Sequence, residues 1–308
     1  MKKYISSIPA IVLLLAICIP LSSKATKHII TAQNFFFSPS NLTNVLVGDT
    51  IRWVRVNGSH TTTSTVSSIP AGAAIWNSPL NSVTTSFEYK VTVAGTYNYV
   101  CTPHAASMFG SFTAIAPDKV LNLNVLLEGL FNGINMNQAQ NATGNQFPGN
   151  VADQLTIELH AASPPYAIQG TPYVANLDVN GFASVQVPSP YNSSYYIVIR
   201  HRNSIETWSG VAVSFSGTTI NYDFTLAASQ AFGNNLKPAG SEFLIYACDV
   251  NQDGIVDSGD MIPVDNDASN FATGYLSTDA NGDGLVDSGD MIALDNNSAM
   301  FISKSIPE

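Results

Sequence analysis

Short runs of alternating apolar and polar residues, rich in Val, Ile, Thr, Tyr and Phe, fill two long stretches of the chain, residues 26–116 and 119–226. Gly, Pro, Asn and Ser interrupt these runs every few residues, which is typical of short antiparallel strands in sandwiches or barrels. The predicted strands are Asp49–Val56, Phe87–Val93, Thr96–Cys101, Leu155–Leu159, Phe182–Val187, Tyr195–Arg200 and Thr219–Leu226. We therefore predict an all-β fold.

A third segment, from about residue 242, repeats itself with a period of 30 residues. Asp249–Asp260 aligns with Asp279–Asp290, and the match continues to Phe271 and Phe301. Ala116-Pro-Asp118 is the predicted boundary before the second segment, and a linker with Gly, Asn and Pro, residues 227–241, precedes the third. We predict a leader at 1–25, a first domain at 26–117, a β-sandwich of unknown role at 118–240 and a repeat module at 241–308.

The N-terminus has the pattern of a signal peptide. Two lysines precede a short apolar run and small residues that end at Ala25. No later stretch reaches the ~20 apolar residues that cross a bilayer, so we expect no transmembrane segment in the mature chain. The expected location is extracellular or at the cell surface, with the periplasm as an alternative. A lipid anchor at Cys18 is the lesser alternative, because Ile17 is bulky where a small residue is expected.

The chain is acidic, and its acids are concentrated in the repeats. Removing residues 1–25 takes away three lysines and no acids, which changes the formal net charge from −10 to −13. This charge argues against nucleic acid as a partner. Eleven of the twenty-two acidic residues lie between Asp249 and Asp295, so this region needs a local explanation.

One loop combines soft metal ligands within eight residues: Cys101, His104 and Met108. A thiolate, an imidazole and a thioether favour copper over calcium or magnesium. Cys101 shares strand parity with Tyr97 and Tyr99, so its side chain is expected to point inward. A disulfide between Cys101 and Cys248 is the structural alternative.

A second imidazole is needed to complete a blue-copper ligand set of two His, one Cys and one weak axial Met. His60 is the best candidate, because it follows a predicted strand and lies in a loop that can face Cys101. His28, His160 and His201 lie inside strand-like runs and are poorer candidates.

These motifs, in this order over residues 27–115, resemble the plastocyanin-like cupredoxins. The resemblance rests on Gly48-Asp-Thr-Ile-Arg-Trp53, the His60-Thr loop and Gly95-Thr-Tyr-Asn-Tyr-Val-Cys-Thr-Pro-His104. It implies a Greek-key β-barrel or sandwich with one type 1 copper ion, equatorial ligands His60, Cys101 and His104, and Met108 as axial ligand. The four-residue step from His104 to Met108 leaves a three-ligand site, with Met108 in the core, as an alternative.

Such a site favours one-electron transfer to a redox partner protein over catalysis. Four protein ligands leave no coordination position for a substrate, so we expect that the chain is not an enzyme. The five histidines of the chain also cannot supply the further copper ions of a multicopper oxidase. Two alternatives remain. The first is a cell-surface adhesion protein that uses this fold only as a stable framework and has a surface scaffold or a polysaccharide as its partner. The second is copper storage or delivery at the envelope.

The two repeats place oxygen ligands where calcium loops need them, at positions 1, 3, 5, 7, 9 and 12. The first loop has Asp249, Asn251, Asp253, the Ile255 carbonyl, Asp257 and Asp260; the second has Asp279, Asn281, Asp283, the Leu285 carbonyl, Asp287 and Asp290. Hard oxygen ligands predict two calcium ions. The paired repeat resembles dockerin modules. A short helix with Pro263 favours a calcium-stabilised structural role over docking onto a partner domain.

Overall fold

The computed structural model describes residues 25–308, so Cys18 and all of the predicted signal peptide except Ala25 lie outside the described residues. The described chain is mostly strand, which confirms the all-β prediction. It divides into two compact units, one ending at Ala116 and the other formed by residues 117–308. None of the helices among residues 25–308 has the length and apolar character needed to cross a bilayer.

The first unit consists of two packed sheets. Its strands are β1 Lys27–Gln33, β2 Phe36–Ser38, β3 Asn41–Leu46, β4 Thr50–Arg55, β5 His60–Thr63, β6 Asn77–Leu80, β7 Ser86–Lys90, β8 Gly95–Val100 and β9 Phe109–Ile115. One sheet has the order β2-β1-β4-β7 and the other β3-β9-β8-β5-β6. The pairs β1–β4 and β3–β9 are parallel, whereas the other paired strands are antiparallel.

An aromatic core joins these two sheets. Trp53 of β4 lies within 5.3 Å, centroid to centroid, of both Trp76 and Tyr99, and Tyr97 stacks on Phe112 at 4.5 Å. All five rings are at most 5% exposed. Aromatic side chains bury large apolar areas, so this cluster fixes the sheets against each other. It thereby fixes the ends of β5 and β8, which carry the predicted copper ligands.

The second unit contains β10 Lys119–Asn124, β11 Gln140–Asn141, β12 Gly144–Asn145, β13 Val151–Ala161, β14 Tyr173–Asp178, β15 Phe182–Val187, β16 Ser194–His201, β17 Ser204–Trp208, β18 Val213–Ser214, β19 Thr219–Asp223, β20 Lys237–Ala239, β21 Glu242–Leu244, α1 Ser258–Ser269 and α2 Ser288–Ala299. The main sheets are β15-β10-β19 and β14-β13-β16-β17, with β18 beside β16. The hairpins β11-β12 and β20-β21 are separate.

The repeats share one hydrophobic core with the sheets of the second unit. Val256, Val264 and Leu294 belong to the same buried cluster as Leu121 and Ile157. Glu128 accepts a hydrogen bond at 2.8 Å from Asn297 of α2 and also contacts Lys237. The residues of the predicted third segment therefore pack as part of the second unit. The division of the chain into three domains stays a prediction.

Candidate metal centre

His60, Cys101 and His104 lie together at one end of the first unit. The Nδ1 atoms of His60 and His104 lie 3.8 and 3.3 Å from the Cys101 Sγ. Within residues 25–308 this is the one group of three or more His, Cys, Asp or Glu residues whose ligand atoms all lie within 4.8 Å of one another. The structure thus brings together ligands that are about forty residues apart in the sequence.

The register of two strands places these side chains. Tyr97, Tyr99 and Cys101 are all at most 1% exposed, which confirms the predicted inward parity. His60 is the first residue of β5, so it belongs to a strand and not to the preceding loop as predicted. The two strands meet at the pair Thr63–Val100. This pairing brings the His60 and Cys101 side chains next to each other on the buried side of the sheet.

Backbone hydrogen bonds close the loop from Cys101 to Met108 on itself. The His104 N–H donates to the Cys101 carbonyl at 2.9 Å, and the Met108 N–H donates to the His104 carbonyl at 2.8 Å. The Cys101 N–H donates in turn to the Met108 carbonyl at 2.9 Å. Met108 is fully buried in the same core cluster as Cys101. The loop therefore holds its residues in place by its own backbone.

The cysteine sulfur also accepts a hydrogen bond from β5. The Thr61 N–H points to the Cys101 Sγ at 3.3 Å, and the Thr61 hydroxyl accepts a hydrogen bond from the Thr102 N–H at 2.8 Å. The thiolate is the form of cysteine that binds metals. Both cysteines of the described chain are free, so the alternative of a Cys101–Cys248 disulfide is wrong.

The two imidazoles differ in exposure. His60 is 4% exposed, whereas His104 is half-buried, with the exposed Phe35 ring against it edge-on at 4.6 Å. Burial lowers the pKa of His60, and the neighbouring His104 acts in the same direction. A neutral imidazole is the metal-binding form.

The other three histidines each pair with a carboxylate away from this cluster. His28 Nε2 lies 2.8 Å from Asp49, and His201 Nε2 lies 3.0 Å from Asp153. His160 forms the corresponding pair with Glu158 at 2.8 Å. All three lie within strands, as the sequence indicated. Sequence reasoning missed these carboxylate partners because the pairs with Asp49 and Asp153 join segments far apart in the chain.

Residues 25–114 match a known family, described as "Copper binding proteins, plastocyanin/azurin family". This segment is a copper-binding domain of the plastocyanin/azurin family. The match covers less than a third of the chain. It contains all four predicted copper ligands.

Solved structures of cupredoxins are similar to about 30% of the chain. They include a pseudoazurin from Sinorhizobium meliloti, with 21% identity over 30% of this chain and 76% of that chain and a TM-score of 0.27. A mutant fern plastocyanin has 28% identity over 28% of this chain and 99% of that chain, with a TM-score of 0.25. A pseudoazurin from Hyphomicrobium denitrificans has 22% identity over 30% and 77%, with a TM-score of 0.26. No curated protein matches the chain.

The two acidic loops of the second unit have the same internal hydrogen bonds. Asp257 and Asp287 cap α1 and α2, each accepting from a glycine N–H at 2.6 Å. Asp260 and Asp290, one turn into those helices, accept backbone N–H groups from the loops before them. Asn251 and Asn281 each accept from the N–H two residues later. The glycine at position 6 of each loop has a positive φ, +92° at Gly254 and +84° at Gly284.

The first carboxylate of each loop is buried in an unfavourable setting. Asp249 is 1% exposed, and its Oδ1 has no hydrogen-bond partner within residues 25–308. Burial, together with Asp260 and Asp253, raises the pKa of Asp249 to about 6. Burial is also the main cause that raises the pKa of Asp279 to about 6. A buried anion of this kind calls for a compensating cation.

Proposed function

We propose that the first unit binds one copper ion and carries single electrons for a redox partner protein outside the cytoplasm. His60, Cys101 and His104 would be the equatorial ligands and Met108 the axial one. The observation that supports this most is the meeting of two imidazole nitrogens and one thiol sulfur within 4.8 Å, inside a segment that matches a copper-binding family. The signal-peptide pattern at residues 1–25 supports an exported protein.

The donor set fits copper. Two imidazoles, a thiolate and a buried thioether are the soft and borderline ligands that copper prefers. When bound, copper supplies one-electron chemistry between Cu(I) and Cu(II). The protein contributes rigidity, since the loop from Cys101 to Met108 is closed by its own backbone and β5 is fixed in a sheet. Rigid ligands keep the rearrangement between oxidation states small, which makes electron exchange fast.

We propose that electrons enter and leave the metal centre through His104. Its ring is half-buried, whereas Cys101 and Met108 are fully buried and His60 nearly so. Electron transfer requires a close approach of the partner to the metal centre, and the edge of the His104 ring provides it. The four donors leave no ligand position for a substrate. We therefore propose a carrier and not an enzyme.

We further propose that each acidic loop binds one calcium ion. The ligand register of both loops, the unpaired Asp249 Oδ1 and the raised pKa values of Asp249 and Asp279 support this proposal. A divalent cation would compensate the buried charge of each loop. Because the helices after the loops share the core of the second unit, a structural role for calcium is favoured over docking to a partner.

A redox experiment separates electron transfer from copper delivery. The full chain, loaded with Cu(II), is reduced with ascorbate and reoxidised with ferricyanide through repeated cycles, while a Cu(I) chelator competes for the metal. A carrier is expected to recover its blue colour in every cycle and to keep its copper. Loss of the metal to the chelator on first reduction would favour delivery. A chain that binds no copper would leave the adhesion alternative.

A further inference from the structure

The three-stranded sheet β15-β10-β19 has one apolar and one polar face. The inner face is buried and apolar, and its residues include Leu121, Leu123, Ala183, Val185 and Ile220. The strand register arranges the outer face in cross-strand rows, two of which lie side by side at one end of the sheet. One row is Ser184–Asn122–Asn221, and the next is Phe182–Asn124–Asp223. We call these six residues the amide face.

Asn and Asp are among the residues least suited to strands, because their side chains compete for the backbone hydrogen bonds. Here four of them are neighbours on two adjacent strands. Thr or Val at these positions would favour the strands more. Clusters that break a local preference are expected where a protein places a functional site. The amide face therefore calls for a binding role.

Hydrogen bonds across the strands hold these side chains in fixed orientations. The Asn122 amide donates to Asn221 at 3.0 Å and accepts from the Ser184 hydroxyl at 2.9 Å. The Asn124 amide donates to Asp223 Oδ2 at 2.8 Å, and Asp223 Oδ1 accepts from the Thr225 N–H at 2.8 Å. Such an arrangement reduces the entropy lost when a ligand binds.

Free hydrogen-bonding groups remain on the same face. The Asn221 Nδ2 and the Asn124 Oδ1 have no hydrogen-bond partner among residues 25–308, and both side chains are exposed. One is a donor and the other an acceptor, on neighbouring strands. The face can therefore both donate to and accept from a bound hydroxyl group.

A groove of about 440 Å³ runs over the amide face. This volume lies within the range of ~300–1,000 Å³ that is typical of ligand sites. Phe182, 46% exposed, and Leu226, 67% exposed, line it beside the amides. An exposed aromatic ring next to fixed amides offers a flat apolar surface together with hydrogen bonds. Asp223 supplies the single formal charge among the six residues, and its oxygens are already occupied by Asn124 and Thr225.

We propose that the amide face binds a neutral oligosaccharide chain. Sugar hydroxyls both donate and accept hydrogen bonds, which suits the amides, and the C–H face of a sugar ring suits Phe182. The absence of a cationic side chain among the six residues disfavours acidic polysaccharides and nucleic acids. This site lies in the second unit, and the proposal does not depend on copper binding by the first.

Titration calorimetry of the full chain with neutral oligosaccharides tests the proposal. The probes are glucan, xylan, mannan and chitin oligosaccharides, with oligogalacturonate as the acidic comparison. We expect one neutral class to bind, and Phe182→Ala and Asn221→Ala each to weaken that binding about three- to tenfold, the range of a single contact. Asn176→Ala is the matched control. It removes an exposed cross-strand amide pair, between Gln154 and Asn176 at 2.9 Å, on another sheet.

Several outcomes would overturn the proposal. They are no binding of any neutral probe at millimolar concentration, binding of oligogalacturonate alone, or an equal loss of affinity in Asn176→Ala and Asn221→Ala. Circular dichroism verifies that each variant folds. Asn221 is exposed, so its substitution keeps the test valid even if Phe182→Ala destabilises the sheet. Retention of binding in both groove variants, with wild-type affinity, would contradict the proposal as well.

Discussion

At the scale of single residues, Asp153 is a buried carboxylate of the second unit that three neighbouring side chains contact. It is fully buried, and His201, Arg202 and Tyr275 all direct hydrogen-bond donors at its carboxylate. Arg202 also donates to the Asp279 carbonyl at 2.7 Å, so this network joins β13 and β16 to the second acidic loop. Removing one partner of a buried ion pair leaves the other charges uncompensated.

We predict that Asp153→Asn destabilises the second unit by about 3–5 kcal/mol. Burial alone would raise the pKa of Asp153, but the hydrogen bonds and charges of His201 and Arg202 outweigh it and lower the pKa to about 2. Since the folded-state pKa lies below the unfolded one, this stabilisation is present above about pH 4 and is lost as the pH falls toward 2. Scanning calorimetry between pH 2 and 7 measures it.

The matched control for that variant is Asp265→Asn, at an exposed position of α1. It should change the free energy of unfolding by less than ~0.5 kcal/mol. Equal stability of the Asp153 variant and the control at pH 7 would show that the buried network contributes nothing. A steep loss of stability between pH 4 and 2 in Asp153→Asn, as large as in the wild type, would assign that loss to other carboxylates.

Met108 is the second residue whose role can be isolated. An axial thioether tunes the potential of a blue-copper site. We predict that Met108→Leu still binds copper through His60, Cys101 and His104, with a higher reduction potential, because a donor that stabilises Cu(II) is gone. The rise is about 60 mV for each tenfold decrease in the affinity for Cu(II) relative to the affinity for Cu(I). Cyclic voltammetry measures it, with Met136→Leu, a buried methionine of the second unit, as control. An unchanged potential would favour the three-ligand alternative.

At the scale of elements, the turn before β5 holds His60 in place. Gly58 has φ +69°, and a Cβ on it would lie 2.7 Å from the His60 Nε2. The His60 ring is 4% exposed and faces Cys101, so it can avoid a Cβ at residue 58 only by leaving its place beside the cysteine. A side chain at residue 58 would therefore disturb the metal centre directly.

We predict that Gly58→Ala weakens copper binding at least about tenfold, because it displaces the His60 imidazole from its position as a ligand. A tenfold loss of affinity corresponds to ~1.4 kcal/mol of binding free energy. Competition titration with a copper chelator measures it. Gly72→Ala is the matched control: it has φ +85° in the same unit, and nothing lies within 4 Å of its Cβ position. Both variants carry similar backbone strain, of roughly 1–2 kcal/mol. Equal copper affinities in the two variants would refute the role of Gly58.

The sequence was sufficient for the local features of these elements but not for their partners. Strand parity predicted the buried Cys101, and β15 was predicted with its exact bounds, because alternation of polar and apolar residues depends only on the chain nearby. His60 was found by its residue type and place in the order of motifs. The amide face was missed, since pairing of β10 with β15 and β19 joins residues 62 and 99 positions apart. Such register is not encoded locally.

At the scale of the whole molecule, the chain consists of two compact units with separate hydrophobic cores. The proposed copper ligands lie in the first unit, and the proposed calcium loops lie in the second. A ligand that binds only the folded state of a unit stabilises that unit by mass action. Each metal is therefore expected to act on its own unit.

Differential scanning calorimetry of the full chain checks this expectation. We predict two transitions: copper raises the midpoint of one, and calcium raises the midpoint of the other. At a free metal concentration 100 times the Kd, the gain is about 2.7 kcal/mol. Asp249→Ala should reduce the calcium shift and leave the copper shift unchanged. Absence of any calcium shift, in a protein first freed of metal with a chelator, would contradict the calcium proposal.

The central claim is that His60, Cys101 and His104 form a copper site, and the visible absorption spectrum tests it most directly. Metal-free full-length protein is titrated with Cu(II), beside the variants Cys101→Ser and Cys248→Ser. We predict an intense blue thiolate-to-copper band that saturates at one copper per chain, persists in Cys248→Ser and is lost in Cys101→Ser. A wild-type protein that stays colourless with excess Cu(II), or a band that survives in Cys101→Ser, would contradict the account.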